Sequence, residues 1–444
     1  MEGKIVSKRL VKPSLPTPDH PRTCKLSIFD QLAPPAHVPL VFFYENFPVE
    51  GKLEQLVNSL SETLTRFYPL AGRFVKEGFY IDCNDDGALY VEAENDSDLS
   101  DFLNVAVKNV HLVNDLVPWA DVGQTTSAPT PIVGIKVTIF KCGGIAVGTL
   151  VSHMISDGFT ADKFIHDWST SSSNLLGSIN HEVAPNFSKL ANFGVPSYFP
   201  ARDLSVDIKD MTMPSSKMKQ SKIATKRFVF TEKSMLALKA KVNDNANANV
   251  TKPTRVEVVT STIWKALISL SSTSKPRDST LYLHLNLRGR TGITGTPPLA
   301  SSCGNFYLEL PTRFKQGSES EGMELHNLVG SLRKSLRTTL TNCSKISSTD
   351  DLFSEVAKHV NGIREDKASD EVDVWLLSSL CRFPFYEVDF GWGKPEWVTT
   401  GGLPVEIIFL LDTKCGTGIE AIINLHETDM VQFEKDPDII AFTS

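Results

Sequence analysis

Two side chains able to move a proton sit four residues apart in the stretch Val147–Trp168, VGTLVSHMISDGFTADKFIHDW: His153 and Asp157. An imidazole, with a reference pKa of about 6.5, is the group best suited to take a proton near neutral pH. A carboxylate placed four residues later can orient such a ring, or it can cap a helix, where Asp is a preferred residue. A second candidate lies far downstream in Asp389-Phe390-Gly391-Trp392-Gly393. There an acidic side chain precedes two glycines, Gly391 and Gly393, that permit a tight turn. The chemistry these groups suggest is general acid–base work in a cleft.

The elements around His153 must hold it still. Ile145, Val147, Thr149 and Val151 alternate with small or apolar residues, which predicts a buried strand. Asp157-Gly158 is a turn signal. Beyond it Ala161, Phe164, Ile165 and Trp168 fall at i, i+3, i+4 and i+7, the apolar stripe of an amphipathic helix. His153 and Asp157 therefore sit where a strand hands over to a helix. Other histidines, His166 and His181 among them, show no partner pattern and read as surface or satisfied core residues.

At 444 residues the chain exceeds what one hydrophobic core serves, so two domains are expected. The expected division is an N-terminal domain over 1–190, a crossover over 191–225 and a C-terminal domain over 226–444. A net charge of -7 argues against nucleic acid as the partner. The start, MEGKIVSKRL, has no apolar signal region, and no run approaches the roughly 20 apolar residues of a membrane span. The seven cysteines are scattered, with no CxxC pair. That predicts a reduced, cytoplasmic protein without a zinc site, and Cys142 and Cys381 read as packing residues. A monomer is expected.

Along the chain, strands are predicted at Lys4 to Val11 and Val38 to Tyr44, and a helix from Leu53 to Phe67 that ends at Tyr68-Pro69. Tyr80 to Asp82 and Leu89 to Ala93 flank Asn84-Asp85-Asp86-Gly87 as an expected hairpin. Ile132 to Phe140 and Ile145 to Ser152 form a second one. The pattern weakens from about Ser169 to Lys222. Later come a strand at Lys226 to Phe230, helices over 232–242 and 254–270, and a polar segment over 243–250. Strands at Leu281 to Leu287, Phe306 to Leu310, Val388 to Phe390, Glu406 to Asp412 and Ile419 to Leu425 follow, with helices near 325–341 and 349–364. This mixture predicts an α/β or α+β class with a large mixed sheet.

His153-Met154-Ile155-Ser156-Asp157-Gly158 fits HxxxDG, and Asp389 to Pro395 fits DFGWGKP. With Tyr68-Pro69-Leu70-Ala71-Gly72-Arg73 and Asn286-Leu287-Arg288-Gly289-Arg290, the chain resembles the plant BAHD acyltransferases from Lys4 to its end. Cys142-Gly143-Gly144, Cys381-Arg382 and Asp412 to Gly416 are similar to the branch holding vinorine synthase and salutaridinol acetyltransferase. The resemblance implies an α/β, two-domain, chloramphenicol-acetyltransferase-like fold with mixed β-sheets and a channel between the domains. Acyl-CoA, acetyl-CoA in that branch, would enter from one face and a small-molecule acceptor alcohol or amine from the other, with no metal. Two departures concern pocket shape. The loop from Thr291 to Ala300 is longer and richer in glycine, and Leu380 stands where relatives often carry Trp.

Acyl transfer from a thioester fits His153. The base takes the attacking hydroxyl's proton, and the leaving thiolate, with a conjugate pKa of about 8.5, can recover it from the same imidazolium. No GxSxG occurs, so direct attack in a ternary complex is favoured over an acyl-serine. The resemblance turns Asp157 away from the cleft to pair with Arg288, a structural role. Asp389 reads as a brace ahead of a catalytic group, with Gly391 and Gly393 for its turn and Trp392 packing or lining the channel. Lys252, Thr254 and Arg255, at a helix start, are candidates for the CoA phosphates, or simply a solvated helix start. Leu380 and Arg382 are candidates for the acceptor side. The expected function is O-acetylation of a plant specialised metabolite (alkaloid, terpenoid, phenolic or sugar ester). Alternatives are a catalytically silent scaffold and an acyl-CoA thioesterase.

Overall fold

Strand Ile145–Ser152 is buried along its whole length, which is why it reads as a continuous apolar run. It pairs antiparallel with Val133–Phe140 as the predicted hairpin, turning through Gly143 at φ 85°. The structure is a computed structural model that describes residues 3–19, 22–45, 47, 51–122, 130–177, 190–202, 222–243, 250–271, 277–294, 298–317 and 322–444. Most of the expected crossover and of the polar segment over 243–250 lies outside the described residues.

The chain divides into two compact units. The first takes Met1–Arg202 together with Gly295–Phe306 and Phe383–Gly401; the second takes Asp203–Thr294, Tyr307–Arg382 and Gly402–Ser444. A linear division would leave Asn305 and the Asp389 turn with the C-terminal half. Both belong to the first unit.

The first unit is built on a sheet of six strands in the order Lys4–Val11, Ala88–Asn95, Val133–Phe140, Ile145–Ser152, His37–Tyr44 and Trp397–Thr399. All neighbours are antiparallel except Ala88–Asn95 with Val133–Phe140. The expected hairpin around Asn84 to Gly87 does not form. Tyr80–Asp82 instead pairs with Thr23–Lys25 and Arg73–Val75 in a separate three-stranded sheet, while Ala88–Asn95 joins the large one. The helix after His153 runs Gly158–Gly177, past the point where its stripe fades, and packs on helix Lys52–Arg66. Phe164, Ile165 and Trp168 are fully buried there. Burying a side chain such as Phe or Ile contributes about 1.5–3 kcal/mol. The Trp168 Nε1 lies 3.1 Å from both Leu56 O and Ser59 Oγ, so its one polar atom is satisfied.

The second unit has its own six-stranded sheet, ordered Tyr307–Phe314, Asp278–Asn286, Val372–Ser379, Ile407–Asp412, Ile419–His426 and Ile223–Phe230. Val372–Ser379, which no sequence signal marked, runs parallel to both its neighbours. Tyr307–Phe314 carries Pro311 in its interior, which an edge strand tolerates because the missing N–H need not pair. Helix Arg255–Ser271 supplies the core through Val258, Ile263, Trp264 and Leu267, all fully buried. The Trp264 Nε1 donates to Ser279 Oγ at 2.9 Å. Among the described residues no helix is long and apolar enough to cross a membrane.

Candidate active site

His153 follows strand Ile145–Ser152 directly, and its own N–H donates to Ala36 O at 2.8 Å. The backbone is thus held by the strand behind it. Four residues on, Asp157 does what an N-cap does: its Oδ1 accepts the Thr160 N–H at 3.0 Å. Its other oxygen, Oδ2, accepts the Phe306 N–H at 3.1 Å. Asp157 is buried, and both its oxygens serve the helix start and the segment beside it.

That segment, Gly304–Phe306, is fastened at every residue. The Gly304 N–H donates to Thr160 Oγ1 at 3.0 Å, and the Asn305 N–H donates to Asp30 Oδ1 at 3.0 Å. Gly304 has φ 107°, a conformation that glycine adopts without strain. The clamp brings the Asn305 side chain to His153. Asn305 Nδ2 donates to the His153 carbonyl at 2.6 Å, and Asn305 Oδ1 lies 3.2 Å from His153 Nδ1. Asn305 thus engages the ring at Nδ1. Asn305 and Asp30 were not singled out in the sequence; the nearest signals were Gly304-Asn305 and the Ser27-x-x-Asp30 spacing of a capping box, which the structure contains.

Burial pushes the His153 imidazole below its ordinary value. It outweighs the ring's own carbonyl, the Asp157 charge and the Asn305 hydrogen bond, which all pull the other way. The net effect favours the neutral form of the ring. His166, expected without a partner, has one: Asp162 Oδ1 lies 3.1 Å from its Nδ1, one helical turn earlier.

The stretch Val388 to Phe390 is not the expected strand. A 3-10 turn at Phe385–Glu387 leads into a tight loop in which Asp389 Oδ1 accepts the N–H groups of Gly391, Trp392 and Gly393, at 2.7, 3.1 and 3.0 Å. Those donors go to a side chain, so none is available to a neighbouring strand. Gly391 and Gly393 have φ 105° and 111°, which explains both glycines. The loop is pinned to helix Gly158–Gly177, because Ser173 Oγ donates to Asp389 O at 2.6 Å and Ser172 Oγ to Phe390 O at 2.9 Å. Phe390 stacks on Trp392 and meets Trp168 edge-on at 4.7 Å.

The remaining candidates lie in the second unit. Thr254 caps helix Arg255–Ser271 reciprocally: its N–H donates to Glu257 Oε2 at 2.8 Å, and the Glu257 N–H donates to Thr254 Oγ1 at 3.2 Å. Arg255 turns to Asp412 Oδ1 at 2.9 Å and to the carbonyls of Gly416 and Gly418. Lys252 is exposed, at φ 51°, with its carbonyl held by Arg333. Arg288 Nη1 donates to Asn286 Oδ1 at 3.2 Å. Arg382 is exposed at φ 74°, its N–H on Asp412 Oδ2 at 2.7 Å. Asp412 therefore gathers Arg255 and the Arg382 backbone. Leu380 is 8% exposed, with its N–H on Leu410 O.

A family model described as the Transferase family matches residues 2–440. The chain is 34% identical over 464 residues to a limonoid 1-O-acetyltransferase of Citrus sinensis, covering 100% of this chain and 99% of that protein. It is 31% identical over 457 residues to acetyl-CoA-benzylalcohol acetyltransferase of Clarkia breweri, covering 100% of both. Among solved structures, vinorine synthase matches at a TM-score of 0.78 and 26% identity, over 100% of this chain and 98% of that one. The chain belongs to this family, the BAHD acyltransferases, and has their chloramphenicol-acetyltransferase-like fold. It is an acyltransferase.

Proposed function

We propose that this chain transfers an acetyl group from acetyl-CoA to a hydroxyl of a plant specialised metabolite, with His153 as general base. The observation that carries the reading is the His153 imidazole itself, kept neutral by burial and held at Nδ1 by Asn305. In the ternary complex Nε2 takes the hydroxyl proton as the oxygen attacks the thioester carbon. The carbon–sulfur bond then breaks, and the imidazolium returns the proton to the thiolate. The donor is inferred from relatives whose names specify acetyl transfer. Lys252 would face the CoA phosphates, with Thr254 and Arg255 shaping the helix start beside it. Asp157 and Asp389 act as structural supports.

The test is CoA release from acetyl-CoA with and without a panel of alcohols, with mass spectrometry of the products. Release that depends on the acceptor, with one ester formed per thiol, is the expected result. Release without an acceptor would make the protein a thioesterase, and no release with any acceptor would favour a scaffold.

Two further outcomes follow. Because the base must be neutral, kcat/KM should rise with pH through the lowered imidazole pKa and level off above it. Its acid limb is expected below 6.5, the ordinary histidine value. A limb centred above 6.5 would contradict a desolvated ring.

Leu380 can serve as a wall of the acceptor pocket or as filler in the core, and its burial is compatible with both. Leu380→Trp separates them. As a pocket wall, the variant raises KM for the acceptor while KM for acetyl-CoA holds. As core, the larger ring overpacks, costing about 1–3 kcal/mol, and Tm falls with both substrates affected alike. An unchanged Tm together with unchanged KM values would contradict both roles.

A further inference from the structure

We propose that Asp30 is a positioning residue for the acyl transfer: through the Asn305 amide, it sets which ring nitrogen of His153 carries the proton. The inference rests on the reading of His153 as base and extends it to a residue that touches neither substrate nor the ring.

Asp30 is buried in the short helix Ile28–Leu32 and accepts four hydrogen bonds, two on each oxygen. Oδ2 takes the N–H and the hydroxyl of Ser27, both at 2.7 Å. Oδ1 takes the Asn305 N–H at 3.0 Å and Asn305 Nδ2 at 2.8 Å. Every group facing the carboxylate is a donor, so the pattern calls for an acceptor-only carboxylate at this position.

The consequence passes along the Asn305 amide. Its Nδ2 has two hydrogens, and both have acceptors, Asp30 Oδ1 and the His153 carbonyl. Flipping the amide would set its oxygen against a carboxylate and a carbonyl at hydrogen-bond distance, with no hydrogen between them. The orientation is therefore fixed, and it turns Oδ1 toward His153 Nδ1. An amide oxygen only accepts, so Nδ1 must hold the proton. A neutral imidazole carries one such proton, which makes Nε2 the basic nitrogen. Asp157, the acidic residue of the HxxxD motif, does not do this. Its oxygens are engaged by Thr160 and Phe306.

The test is nitrogen NMR of protein labelled at its ten histidines, with the His153→Ala spectrum identifying the His153 signals. In the wild type near pH 7, Nδ1 is expected protonated and Nε2 unprotonated. In Asp30→Asn, the Asn305 amide loses its fixed acceptor, and the His153 signals should shift toward the other tautomer. kcat should fall about 10- to 100-fold, the size of effect seen when a partner that orients a metal-bound histidine is removed, while both KM values stay within about twofold. A wild-type ring protonated at Nε2 would overturn the proposal, whether or not the variant folds. So would a folded Asp30→Asn protein that loses turnover with the tautomer unchanged. Full turnover by His153→Ala would instead overturn the base reading, a result the tautomer measurement does not depend on.

Discussion

His153→Ala is expected to fold normally and to lose about 100- to 10,000-fold in kcat, the range that general-base assistance supplies. The side chain is half-buried at the end of a strand, and its ring meets the Asn305 side chain at Oδ1. Removing it leaves the backbone anchors in place: the N–H on Ala36 O and the carbonyl under Asn305 Nδ2. Tm should therefore move by a few degrees at most, and acetyl-CoA should bind as before. Turnover within tenfold of wild type at saturating substrates would remove His153 from the mechanism.

Asp157→Ala should behave in the opposite sense, as a stability variant that also loses activity. Truncation removes the helix cap, worth about 0.5–2 kcal/mol. It also strands the Phe306 N–H in a buried position, a loss of about 1–3 kcal/mol. The two effects together come to roughly 1.5–5 kcal/mol, and a domain of this size loses about 2–4 °C in Tm per kcal/mol. Activity falls as well, because Phe306 adjoins Asn305, and loosening the segment misplaces the amide on the imidazole. Calorimetry and a rate assay on the same preparation decide the matter. An unchanged melting curve with turnover abolished would assign Asp157 to catalysis instead.

The features that were legible in the sequence are the local ones. Strand, turn and helix around His153 are set by neighbours within a few residues, and the Asp157 cap is a short-range bond to Thr160. Asn305 and Asp30 were not legible as site residues. Asn305 lies 152 positions from His153, and Asp30 lies 275 positions from Asn305, so only the fold brings them together. The Asn84–Gly87 turn misled for a related reason. Turn residues announce a reversal, but the partner of Tyr80–Asp82 is chosen by tertiary packing. Val372–Ser379 went unseen because only Trp375 and Leu377 are buried in it, too few to show a period, although it is a central parallel strand. Val388-Asp389-Phe390 alternates like a strand, yet the two glycines and the Asp389 side chain close it into a loop.

The proposed transfer depends on one titrating group, and the pH dependence of transfer by His153→Ala beside wild type tests it most directly. Wild-type kcat/KM should fall on the acid side with a pKa below 6.5, the ordinary imidazole value. The residual rate of His153→Ala should lack that limb, rising only as hydroxide becomes the base. The same acid limb surviving in the alanine variant would mean that another group takes the proton, and the assignment of His153 as the base would be wrong.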